Sequence, residues 1–89
     1  MYQLIFLKEV SHEELAVVFC EYNNQPDTRA KNTGGYFDGG EELEITINFT
    51  AEDPFNAILQ GAKLAEDNDA EIWSISRTER IATEEIFNS

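Results

Sequence analysis

The 89-residue sequence predicts an α+β fold: one small domain spanning 1–89, with an antiparallel sheet of three or four strands and one main helix (residues ~54–67) packed on one face. Three observations carry this. Leu43, Ile45, Ile47 and Phe49 alternate with Glu44, Thr46, Asn48 and Thr50, the period-2 pattern of a strand with one buried face. Asp53-Pro54 follows at once, a capping side chain and then a proline at the first helical position. Hydrophobic residues make up 42% and aromatics 11%, enough for a core and more than a disordered chain carries.

Taken in order, residues 2–10 (Tyr2 to Val10) are rich in branched and aromatic side chains and read as a strand. Residues 11–22 admit two readings. Ser11 with Glu14 forms a capping-box pattern, and Leu15, Val18, Phe19 and Tyr22 fall at helical spacing. The unbroken apolar run Leu15 to Cys20 argues instead for a buried strand after a hairpin turn at 11–13. The strand is preferred here, because a hairpin gives residues 2–10 an immediate partner.

Asn23 to Gly40 is dense in turn residues and reads as a long loop. Tyr36-Phe37 lies within it between two glycine pairs, either packed down as an anchor or presented to a partner. In the main helix, Phe55, Ile58, Leu59, Ala62 and Ala65 are the expected buried stripe. Gly61 marks a close approach to the sheet. Glu66-Asp67-Asn68-Asp69 ends the helix against its own macrodipole. Ala70 to Thr78 reads as the last strand, with Trp73 either in the core, the preferred reading, or on an exposed interface. Thr83 caps an expected short helix through Ile86 and Phe87.

The chemical inventory excludes more than it offers. His12 and Cys20 are the sole histidine and cysteine, too few to close a tetrahedral zinc site and without a third group to orient a catalytic pair. His12 reads as an exposed turn residue and Cys20 as a small core residue. The glycine pairs lack the Lys-Ser/Thr of a phosphate loop. The acidic string Glu66, Asp67, Asp69, Glu71 lacks the glycine and terminal glutamate of a calcium loop. No catalytic residue, metal ligand or cofactor is expected, and the protein reads as not an enzyme. One cysteine, no membrane-spanning run and no signal-peptide pattern at the start point to the cytoplasm.

Charge is the outstanding feature. Eighteen acids against six bases give −12, which repels nucleic acid and anionic membranes. From Asn32 to Ala62 there are six acids (Asp38, Glu41, Glu42, Glu44, Glu52, Asp53) and no Lys or Arg. The bland reading is solubility. The functional reading is a face for a basic partner, with those six acids as its electrostatics and Tyr36 and Phe37 as hot-spot aromatics.

In size, acid excess, single cysteine and α+β pattern, the chain resembles the small acidic proteins that bacteriophages encode against host defences, including anti-CRISPR proteins. The resemblance implies a non-enzymatic inhibitor in the host cytoplasm that blocks a nucleic-acid-binding complex through a DNA-mimicking surface. The alternative is an immunity protein or antitoxin that neutralises a basic nuclease. Either is a monomer, or a homodimer paired through an edge strand such as 43–50 or 70–78.

Overall fold

The computed structural model describes residues 1–78 and 83–88. The elements are β1 (Tyr2–Ser11), α1 (Leu15–Asn23), β2 (Thr28–Phe37), β3 (Gly40–Phe49), α2 (Pro54–Asp67), β4 (Glu71–Thr78) and β5 (Thr83–Asn88). The α+β expectation holds, with five strands and two helices where three or four strands and one main helix were expected. The strand order is β2-β3-β1-β4-β5 and every neighbouring pair is antiparallel. β1 and β2 therefore run parallel with β3 inserted between them, and β3 and β4 run parallel with β1 between them. These are two interleaved split βαβ units, with β5 added beyond β4.

β1 is the central strand. Tyr2, Leu4, Phe6 and Val10 are buried on one side. Leu4, Phe6 and Val10 meet Leu43 and Ile45 of β3, Ala30 of β2, Ile75 of β4 and Tyr22 of α1 in one cluster. Both helices cover this face. Tyr22 sets its ring edge-on to Phe6 at 6.3 Å, and Gly61 of α2 lies over Ile75 and Leu4.

Residues 11–22 correct the strand preference. A turn closes from Glu14 N–H to the Ser11 carbonyl at 3.1 Å, and a helix starts at Leu15 with no side-chain cap. β3 pairs with β1 from Tyr2 to Ser11 and β4 from Tyr2 to Leu7, so a hairpin partner for β1 would find one edge fully taken and most of the other. Leu15, Val18 and Tyr22 then turn inward at helical spacing. Cys20 is exposed on α1 rather than in the core; His12 is exposed, as expected.

The expected loop 23–40 is largely a strand. β2 pairs with β3 from Thr28↔Ile47 to Phe37↔Gly40. Its few apolar side chains hid it. Its bulge between Asn32 and Tyr36 contains Gly34 at φ +86°, a left-handed backbone that glycine adopts without strain.

α2 begins as expected: Asp53 caps it, accepting from Asn56 N–H at 2.8 Å. Its inward stripe differs. Ala57, Gly61 and Ala65 are buried, flanked by Ile58 and Leu64, while Phe55 and Leu59 are 71% and 54% exposed and Ala62 is exposed. Small residues at i, i+4 and i+8 let the helix settle close to the sheet. A Cβ at Gly61 would stand 2.5 Å from Ile75 Cδ1, the close approach expected there. At the far end, the Lys8 ammonium donates to the Asn68 carbonyl, placing one cation where the acidic string opposes the dipole.

Residues 83–87 correct the expected terminal helix: they form β5 against β4. The 43–50 and 70–78 segments are interior strands, each paired on both sides, so neither is an edge; the outer strands are β2 and β5. Among the described residues, no helix is long and apolar enough to cross a membrane.

Candidate functional site

The face of the sheet opposite the helices is open among the described residues. Strand alternation and register decide what it carries. Glu9 of β1 stands directly across from Glu42 of β3, and Leu7 from Glu44. On its other side Leu7 pairs with Glu71 of β4. Four carboxylates on three adjacent strands thus surround Leu7. Glu42 and Glu44 are about 6.8 Å apart along the strand, and neighbouring strands are about 4.8 Å apart.

Trp73, two residues on from Glu71, shares this face beside a bulge. Ile5 pairs with Ser74 but Phe6 with Ile72, so Trp73 is the extra residue. It is 50% exposed, which sets aside the preferred core reading in favour of the exposed one. A groove of about 760 Å³ opens here. Leu7, Glu9, Glu42, Asp69, Glu71 and Trp73 line it, with Lys8, Ala70 and Ile72.

The expected site residues divide into three groups. Glu42 and Glu44 belong to the open face. Glu42 accepts from the Thr33 hydroxyl at 2.9 Å, and Glu44 stands 3.6 Å from the Lys31 ammonium. Tyr36, Phe37, Asp38 and Glu41 sit at the β2–β3 hairpin tip. Tyr36 is 83% exposed, in the presented rather than the anchored state, and Phe37 is half-buried with its ring over Gly40. Glu41 accepts from Asn32 Nδ2 at 3.1 Å. Glu52 and Asp53 lie beyond the other end of β3, separated from Glu41 by roughly 27 Å of strand. Asp53 is engaged as the α2 cap.

Glu9, Glu71 and Trp73 complete the face and were not among the expected site residues. Register alone brings them together, and the sequence shows register only once β1 is known to lie between β3 and β4. Among the described residues, no three histidine, cysteine or carboxylate side chains are placed to hold a metal ion. No family model, curated protein or solved structure matches the chain.

Proposed function

We propose that the protein is a non-enzymatic inhibitory binder of the phage anti-CRISPR-like kind, which occupies a basic nucleic-acid-binding surface of a host complex in place of the nucleic acid. The observation that supports this is the open sheet face, where Glu9, Glu42, Glu44 and Glu71 project from a rigid backbone at fixed spacing. Like charges directly opposite one another, such as Glu9 and Glu42, destabilise a sheet. Carboxylates held apart by strands lose little freedom on meeting a basic groove, and long-range attraction speeds the encounter. The exposed Tyr36 at the hairpin tip adds an aromatic contact at one end of the same sheet.

The test is affinity capture of the tagged protein from bacterial lysate, with the captured species identified and then assayed for nucleic-acid binding. At low salt the expected catch is a nucleic-acid-processing complex whose binding to its nucleic acid is competed by the added protein. Capture should fall at ~0.5 M salt, where the screening length is about 4 Å. Glu42→Lys with Glu44→Lys should abolish it, while a circular dichroism spectrum shows the fold retained. A captured complex that still binds its nucleic acid fully would overturn the reading, and a lone basic nuclease would replace it with the immunity-protein alternative.

A further inference from the structure

The groove on the open face holds an indole among its carboxylates, and that combination selects more narrowly than charge does. Among the described residues, Glu9, Glu42, Asp69 and Glu71 line it against one amine, Lys8, whose ammonium is turned to the Asn68 carbonyl. An occupant complementary to this lining is cationic. Leu7, Ile72 and Trp73 give the same groove apolar walls, and a strongly hydrated ammonium gains little from those. A guanidinium is planar, weakly hydrated, stacks on aromatic faces and forks onto carboxylates.

We infer that this groove is an arginine receptor: it takes an arginine side chain projecting from a basic protein partner, with the guanidinium laid against Trp73 and hydrogen-bonded to Glu42 and Glu71. The inference rests on the reading of the open face as a binder of basic surfaces and adds the side chain that it selects. A second copy of the chain is disfavoured as the occupant, since each carries −12. Strand alternation makes the receptor: Trp73, two residues on from Glu71, shares its face and gives the carboxylates an aromatic wall.

Trp73 is the only tryptophan, so intrinsic fluorescence reports on the groove directly. Blocked hexa-arginine and hexa-lysine peptides are titrated into the protein at low salt. Hexa-arginine should give a saturable change in emission and bind about fivefold more tightly than hexa-lysine. Glu42→Gln with Glu71→Gln should weaken hexa-arginine about tenfold. Glu52→Gln, on the far loop, should change it less than about twofold. Followed by calorimetry, Trp73→Leu should erase the preference for arginine while both peptides still bind. Equal affinity of the wild-type protein for the two peptides would overturn the inference, as would a Glu52→Gln loss matching that of the groove variant. An arginine preference without capture of any nucleic-acid-processing complex leaves the receptor standing and removes the decoy. Capture and competition with no arginine preference does the reverse.

Discussion

Tyr22 does two jobs with one side chain. Its ring packs edge-on against Phe6, and its hydroxyl donates to Asn68 Oδ1 at 2.8 Å, tying the end of α1 to the end of α2. Burial raises the phenol above its ordinary value of 10.0, and the nearby Glu21 carboxylate raises it further. A raised value means that the folded state holds the proton more tightly than the unfolded chain. That contribution is complete below pH ~10 and is lost as pH climbs through the folded value. Urea unfolding should therefore show stability falling above pH ~10, with a smaller fall in Tyr22→Phe. At neutral pH the same substitution should cost about 1 kcal/mol through the lost hydrogen bond. Equal alkaline losses in both proteins would assign the fall to other groups. Asp53 carries a different lesson at this scale. It looks like part of an acidic face in the sequence, yet both its oxygens accept from Asn56.

Among the elements, β2 shows how an exposed strand edge is managed. Asn23, the last residue of α1, turns its amide onto Ala30. Its Oδ1 accepts from Ala30 N–H at 2.9 Å and its Nδ2 donates to the Ala30 carbonyl at 3.3 Å. One side chain thus satisfies the pair of backbone groups that another strand would seek. Asn23→Ala should cost about 1–2 kcal/mol. In ~0.5 M salt, where repulsion between copies is screened, it should also produce concentration-dependent association in sedimentation; a strictly monomeric variant would show the edge to be guarded by other means. The elements legible in the sequence were those with one strong period: β1, β3, α2 and β4. The α1 run satisfied both periods, and the occupied edges of β1 decided between them. β2 and β5 are edge strands whose existence depends on a partner's backbone more than on their own apolar content. For β2 one local signal existed, the Asp38-Gly39 pair that forms the two-residue hairpin loop, with Gly39 at φ +95°. In the site, Glu42 and Glu44 were readable from alternation on β3. Glu9, Glu71 and Trp73 required the register. α2's stripe was misread because large side chains were given priority over the small ones that let a helix approach.

For the whole molecule, charge and shape act together. The longest axis is 39 Å, and a net −12 along it is one charge per about 3.3 Å (39 divided by 12), near the 3.4 Å of a single nucleic-acid strand. Glu79 and Arg80, outside the described residues, cancel and leave that figure unchanged. Self-repulsion of this size weakens the folded state. Raising salt from ~20 mM to ~0.5 M should lift the melting temperature by about 5 °C, if roughly 1 kcal/mol of repulsion is screened. A falling melting temperature would mean that attractions such as Lys31–Glu44 outweigh the repulsion. The central place of β1 also bears on how the chain comes into being. Tyr2 pairs with Phe49 on one side and Arg77 on the other. β1 therefore leaves the ribosome well before its second partner β4, and its apolar face waits, uncovered on one edge, until synthesis has passed residue 77. Such long-range closure is slow and leaves the unfinished chain exposed to aggregation, so the nascent protein depends on its own acidic charge, or on a chaperone, to stay apart from its neighbours until then.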